Sequence, residues 1–325
     1  MKLPRRKFLQ LAAGAAALPI LPPIATAQTY PTRPVRIIVG YAAGGQVDIV
    51  ARLIGHWLSE RLGQQFVIEN RPGAGTNIAT EACVRAPADG YTLLSVGTAQ
   101  AISATLYNKL SFHFIRDITP VAGIAVMSSV MVLSPSVPTR TVAEFIAYAK
   151  ANPGKLSMAT GGVGSPSHVF GELFKMMTGV DMVLVPYRGA ALALTDLFAG
   201  QVQVYFSPTP AAIEYIRAGK LRALAVTTAA RSAALPDVAS MAESVPGYEA
   251  SIWQGIGAPR ATPTEIVEKL NREINAGLAD SKMKARLADL GGTVLPGSPS
   301  DFAKHIAEET EKWAKVIKFA GIKPE

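Results

Sequence analysis

Two rhythms of apolar residues alternate along this chain: short β-branched runs and longer stretches with helical spacing. Val35-Arg36-Ile37-Ile38-Val39 is a strand-like run, and a glycine-containing turn follows it at once. From Val50 onward, Leu53, Ile54, Trp57, Leu58 and Leu62 share one helical face, which Gly63 closes. Phe66-Val67-Ile68 is the next strand. A strand, a helix and a strand with short joints make a βαβ unit, which implies a parallel sheet with helices over its faces. Tyr91 to Val96 extends that sheet.

The pattern then restarts. Val130 to Leu133 reads as a strand, and Thr141-Val142-Ala143-Glu144 is a capping box opening a helix to about Ala151. Leu156 to Thr160 is a strand, a glycine-rich turn follows, and His168 to Met177 has helical periodicity. Met182 to Val185, Val202 to Phe206 and Ala223 to Val226 are further strand candidates. Beyond Trp253 the chain turns mostly helical. Thr262-Pro263-Thr264-Glu265 predicts a capped helix start with Pro at its first position, and Ser298-Pro299-Ser300-Asp301 repeats the device before a long helix ending at Gly321. The expected fold is α/β and two-lobed, each lobe a mostly parallel sheet flanked by helices. Residues 28–125 and 251–325 form the first lobe and 126–250 the second, with crossings near Ala125 and Ala250.

The first residues change the picture of where the chain works. Arg5-Arg6-Lys7-Phe8-Leu9, an apolar run from Leu11 to Leu21 and Ala25-Thr26-Ala27 have the order of an export signal of twin-arginine type, cleaved after Ala27. Pro19, Pro22 and Pro23 interrupt the run, which is too short to span a bilayer. The expected product is therefore soluble and periplasmic. Loss of Lys2, Arg5, Arg6 and Lys7 takes the formal charge from +8 to +4. That mild excess lacks the basic clusters of a nucleic-acid surface. Cys83 is alone, so neither an intrachain disulfide nor a thiolate metal site is available.

Candidate chemistry lies in two similar turns. Tyr41-Ala42-Ala43-Gly44-Gly45-Gln46-Val47-Asp48 joins the first strand to the first helix, and Gly161-Gly162-Val163-Gly164-Ser165-Pro166-Ser167-His168 does the same further on. A glycine-rich turn entering a helix presents unpaired backbone N–H groups and the positive end of the dipole, so it can hold a carboxylate without a charged side chain. In open α/β sheets such turns sit where ligands bind. One turn per lobe could grip the two ends of a dicarboxylate; equally, the glycines could simply make tight turns. Neither turn has a nucleotide fingerprint. Asp48 is expected to complement the helix dipole or to orient the loop.

Several stretches together resemble the Bug family, the periplasmic solute-binding proteins of tripartite tricarboxylate transporters (TctC-like). They include Tyr30-Pro31-x-Arg33-Pro34-Val35, Gly44-Gly45-x-x-Asp48, Glu69-Asn70-Arg71-Pro72-Gly73-Ala74-Gly75 and Asp89-Gly90-Tyr91-Thr92-Leu93-Leu94. Val185-Pro186-Tyr187-Arg188-Gly189, Gly219-Lys220-Leu221-Arg222 and Glu311-Lys312-Trp313 continue the match. The resemblance implies a type II periplasmic binding protein fold that closes on one organic acid in the interlobe cleft. It implies membrane subunits as partners, with no cofactor, and a monomer is the expected state. Carried over, the ligand-binding set is Tyr41, Ala42, Ala43, Gly44, Gly45, Asp48 and Thr98 from the first lobe. The second lobe would supply Thr160, Gly161, Gly162, Gly164, Ser165, Tyr187, Arg188, Gly189 and Ser207. Gly40 and Ala43 stand where family members often have proline. Ser207 stands where many carry an acid, which favours a simple mono- or dicarboxylate over a ligand with an amino group.

The alternative class is a secreted hydrolase using Ser165 or Ser167 with His168, but neither serine lies in a G-x-S-x-G elbow. The four histidines His56, His113, His168 and His305 form no metal-ligand spacing. Arg188 could meet an anionic ligand or pair with Asp196 or Glu214. His168 is expected to cap or pack, His305 to be solvated, and Trp253 to pack at the return crossing.

Overall fold

The computed structural model describes residues 30–107 and 109–324. The expected signal segment lies outside them. β1 (Val35–Val39) leads to α1 (Gln46–Leu62), β2 (Phe66–Asn70), α2 (Asn77–Val84), β3 (Thr92–Gly97), α3 (Thr98–Leu106) and α4 (Phe114–Asp117). The long β4 (Ile118–Leu133) precedes α5 (Val142–Ala151), β5 (Ser157–Thr160), α6 (Pro166–Thr178), β6 (Val183–Pro186), α7 (Ala190–Phe198), β7 (Val204–Pro208), α8 (Thr209–Arg217) and β8 (Arg222–Val226). β9 (Ser251–Pro259), α9 (Thr264–Ala279), α10 (Ser281–Asp289), β10 (Gly292–Val294) and α11 (Pro299–Ala320) complete it.

The fold is α/β and two-lobed. In the first lobe the strand order is β2-β1-β3-β9-β4, with β10 on the far side of β4. β1, β2 and β3 are parallel, whereas β9 is antiparallel to both β3 and β4. The second lobe has parallel β5, β6 and β7, with β4 antiparallel to β7 and β8. β4 belongs to both sheets: Ser128 pairs with Ser251 of β9, and Ser129 pairs with Pro208 of β7. The chain leaves the first lobe through β4 and returns through β9. Strands carrying it out and back side by side must oppose each other, so the first sheet is mixed.

Local signals account for most boundaries. Gly63 and Gly321 end α1 and α11 in the left-handed region, where glycine has no Cβ penalty. Ser298 and Asp301 cap α11 reciprocally, each side chain accepting from the other's backbone N–H. Thr141 Oγ1 accepts from Glu144 N–H as expected, but the Glu144 carboxylate reaches the Arg140 N–H instead. Thr262 does not cap α9. Its hydroxyl donates to the Pro259 carbonyl at 2.7 Å, closing the end of β9, and Pro263 is the N-cap. Only the last four residues of β4 read as a strand in sequence, because Pro120, Ala122, Gly123 and Ala125 interrupt its β-branched run. β9 was hidden likewise by Gly255 and Gly257, which have no room for a Cβ against the Ala122 carbonyl and Ile118.

Each sheet buries its own core. Ile37, Ile54 and Leu58 pack with Leu270 and Ile274 under α1 and α9, and Val132, Leu197, Val202 and Tyr205 pack in the second lobe. A third core runs across both lobes, joining Leu94, Ile102 and Leu106 to Phe170, Phe174 and the C-terminal Trp313. Each such side chain stabilises by about 1.5–3 kcal/mol. Phe170 stacks on Trp313 at 5.2 Å. The Trp253 and Trp313 indoles both donate to the buried Glu309 carboxylate, at 3.0 and 2.9 Å. Trp253 therefore packs beside the return crossing. His305 is not solvated: it lies edge-on to Trp253, 5.1 Å between centroids, and burial depresses its pKa.

Candidate functional site: a cleft between two glycine turns

The first turn leaves β1 and enters α1 at Gly45, an extended N-cap residue (φ −76°, ψ 165°) with no side chain to accept a hydrogen bond. Gln46, Val47 and Asp48 follow, all with backbone N–H groups that the first turn of a helix cannot satisfy. The Asp48 carboxylate faces back under the loop. Its oxygens accept from Gly44 N–H at 2.9 Å, from Arg52 at 2.8 and 2.9 Å, and from Asn70 Nδ2 at 2.8 Å. Burial alone would raise the Asp48 pKa, but the donors Arg52, Gly44 and Asn70 outweigh it and bring it to about 2. Asn70 Nδ2 also donates to the Tyr41 carbonyl at 3.0 Å, tying the other end of the turn. Asp48 is thus a positioning residue, and the loop is held from beneath.

The second turn is built from the same residue types but spends its donors internally. Gly161 N–H donates to Ser167 Oγ at 2.8 Å and Gly162 N–H to Thr160 Oγ1 at 2.9 Å. Gly164 N–H donates to His168 Nδ1 at 3.0 Å, and Ser165 N–H to the Gly162 carbonyl at 3.1 Å. Ser165 caps α6 by accepting from His168 N–H, and Pro166 at the helix start has no N–H. Burial lowers the His168 pKa to about 4, so the ring is neutral and its Nδ1 is free to accept.

Between the turns lies a cavity of about 520 Å³. Tyr41, Ala42, Ala43 and Gly45 line one side, and Gly161, Ser165 and Gly189 the other. Seven of the expected residues therefore meet there. Gly162 and Gly164 line an adjoining chamber of about 280 Å³, whose wall shares Tyr41, Ala42, Gly161, Ser165 and Pro166 with the first. Thr98 faces a small neighbouring cavity, and its hydroxyl is engaged by the return crossing through Ser251 O and Trp253 N. Gly44, Asp48, Thr160, Tyr187, Arg188 and Ser207 stand outside both chamber walls. Arg188 is exposed and pairs with neither suggested acid: Tyr187 takes Asp196 at 2.7 Å, and Arg217 takes Glu214 at 3.1 Å. Ser207 is fully buried, its hydroxyl donating to the Pro208 carbonyl.

Sequence reasoning missed Gln46, Val47, Ser129, Tyr205, Pro208 and Ile252 in the cavity wall. Gln46 and Val47 continue the first turn and could have been included; Ser129 and Ile252 sit at the two crossings, which only the folded sheet brings to the cleft. Among the described residues, no charged side chain lines either chamber. An anion there must be held by backbone N–H groups, hydroxyls and the helix dipole. Hydrolytic chemistry is not assembled: His168 Nδ1 is occupied by Gly164, its Nε2 lies 4.0 Å from Glu172, and Ser165 and Ser167 bond each other at 3.0 Å.

Two α/β lobes joined by crossing strands, with an uncharged cleft between helix-bearing turns, define a solute-binding protein. Sequence comparison is specific on this point. Residues 50–322 match the family profile TctC, the tripartite tricarboxylate transporter family receptor, and the chain belongs to that family. Protein BugT of Bordetella pertussis is 36% identical over 301 residues, covering 92% of each chain. The structure of R. palustris Rpa4515 with adipate superposes with a TM-score of 0.81 at 40% identity, covering 91% of this chain and all of the other. MatC from Rhodopseudomonas palustris, with bound malate, superposes at 0.77 and 33% identity, covering 89% of this chain and all of that one. The resemblance to the Bug family is borne out, and the chain is a receptor rather than an enzyme.

Proposed function

We propose that this receptor captures a small mono- or dicarboxylate in the periplasm, by closure of residues 28–125 plus 251–325 on residues 126–250, and delivers it to the membrane subunits of a tripartite transporter. The observation that carries the reading is an uncharged cleft entered by the open N-terminus of α1. In this reading the carboxylate sits over the Tyr41–Val47 turn, held by backbone N–H groups, with Thr98 behind. Ser165, Gly161 and Gly189 close over it from the second lobe, Thr160, Gly162 and Gly164 shape their turn, and Tyr187, Arg188 and Ser207 stand at the rim or behind it. The lobe division is supported by the change of strand partners between Ser128 and Ser129 and by the start of β9 at Ser251. Small carboxylates bound to similar receptors, adipate and malate, support the ligand class. Export is supported by the paired arginines and the Ala25-Thr26-Ala27 site, and the protein acts as a monomer.

Thermal-shift measurements across linear, hydroxylated and aromatic carboxylic acids test this. A true ligand at roughly a hundred-fold excess over its Kd stabilises by about 2.7 kcal/mol. If no mono- or dicarboxylate moves the Tm, the proposal fails.

A further inference from the structure

One residue in the wall of the second chamber carries a buried hydroxyl with no partner among the described residues. It is Thr76, 3% exposed, and its Oγ1 is the unbonded atom. Its backbone is fully used: the N–H donates to the Gly73 carbonyl at 3.0 Å and the carbonyl accepts from Thr80 Oγ1 at 3.1 Å. Native proteins leave few buried hydroxyls unpaired, because each one forfeits its hydration. Thr76 also adopts a left-handed conformation (φ 76°, ψ −1°) that β-branched residues avoid. Room is made for it across the loop. A Cβ on Gly40 would stand 2.7 Å from Thr76 Cβ, so Gly40 must lack one. This departure from proline at the entry of the first turn is thus a fitted contact.

The rest of the chamber wall suits an oxygen substituent. Ser103 lines it and donates its own proton to the Gly75 carbonyl at 2.8 Å, keeping lone pairs free. The glycines at 40, 73, 75, 162 and 164 keep that wall open. In the wall of the main chamber, Gln46 mirrors Thr76: its side-chain Nε2 is buried and without a partner among the described residues. Both polar atoms are closed off from the chambers as they stand; turned inward by a side-chain rotation, Gln46 would donate to a carboxylate at the α1 N-terminus and Thr76 would meet a second oxygen group passing the shared wall.

We infer that Thr76 is a specificity-determining residue, selecting carboxylic acids that carry a second oxygen function, a hydroxyl or a further carboxylate, placed in the second chamber. The inference rests on the cleft being a carboxylate site. Matched six-carbon acids separate the two readings by isothermal titration: hexanoate, omega-hydroxyhexanoate and adipate. Wild-type protein should bind the two oxygenated acids about tenfold more tightly than hexanoate, the effect of one well-placed hydrogen bond that also satisfies a buried group. Thr76→Val keeps the shape and branching and removes the hydroxyl. It should abolish that preference, leave hexanoate affinity unchanged and leave the apo Tm equal or higher. Thr76→Ser should restore the preference. Thr76→Gly, which suits the positive φ, replaces Thr76→Val if the latter does not fold. Preference retained in the hydroxyl-free variant, or absent from wild type, overturns the role of Thr76 while the carboxylate reading stands. No response of wild type to these three acids overturns the role of Thr76, and no response to any mono- or dicarboxylate overturns the carboxylate reading as well.

Discussion

The two glycine turns look alike in sequence and differ in what they leave unsatisfied. At the first, N-cap Gly45 has no side-chain acceptor, and the N–H groups of Gln46, Val47 and Asp48 enter the helix unpaired. At the second, Ser165 caps its helix, Pro166 removes a donor, and the amides of Gly161, Gly162 and Gly164 serve Ser167, Thr160 and His168. The first turn is open to an anion; the second is closed on itself and offers hydroxyls and a rigid wall. A symmetric grip of one carboxylate per turn is therefore less suited to this cleft than an asymmetric one, with the charge at α1. Glycines do different work in each. Gly44 (φ +83°) has empty space beside it, whereas a Cβ on Gly164 (φ +71°) would stand against Leu106 of the opposite lobe.

The largest test removes the support of the open turn. Asp48→Ala leaves Gly44 N–H, Asn70 and Arg52 without their shared acceptor and should cost about 2–3 kcal/mol in urea unfolding. Carboxylate binding should fall by more than tenfold, and normal affinity in this variant would show that the loop holds itself. Next comes Gly164→Ala, which adds the Leu106 collision to an unfavourable φ. We expect it to lose more stability than Gly44→Ala, whose cost is confined to backbone strain of about 1 kcal/mol; equal losses would remove the close-approach argument.

Acid distinguishes the turns as well. The folded pKa of His168 is depressed to about 4 from the usual 6.5, so stability is complete above about 6.5 and drains as pH falls toward 4. For Asp48, depressed to about 2 from 3.8, the corresponding loss begins only below about 4. A His168→Gln variant should flatten the first window of a Tm-versus-pH curve and keep the second. A smaller effect tests the open donors directly: Gly45→Ser supplies the missing cap, raising apo stability by a few tenths of a kcal/mol while weakening carboxylate binding severalfold. Tighter binding would contradict the open-turn reading. Smallest of all, Arg188→Lys should change affinity less than about twofold, since the side chain is exposed and outside both chambers.

Much of the frame was legible because its signals are local. The β1–α1–β2 unit, the αL glycines at 63 and 321 and the Ser298 capping box depend on residues a few positions apart. β4 and β9 were not legible over most of their length, since the glycines and alanines that let them pack closely carry no strand pattern. Arg188 drew attention as a cation near a glycine turn, but in the fold it is exposed and lies outside both chambers. Tyr205 and Ile252 reach the cleft only because two distant strands meet there.

The sequence by itself determined the class of the protein: an α/β chain with an export-like leader, two turns of anion-binding type and the motifs of its receptor family. Only the tertiary structure decided how those turns are used. Whether a backbone N–H is free for a ligand depends on which acceptor the fold brings within about 3 Å of it, and Ser167, Thr160 and His168 reach the second turn while Asp48 takes only one amide of the first. Hydrogen-bond satisfaction is a property of the assembled neighbourhood, and so the spelling of a glycine turn does not reveal whether it is open.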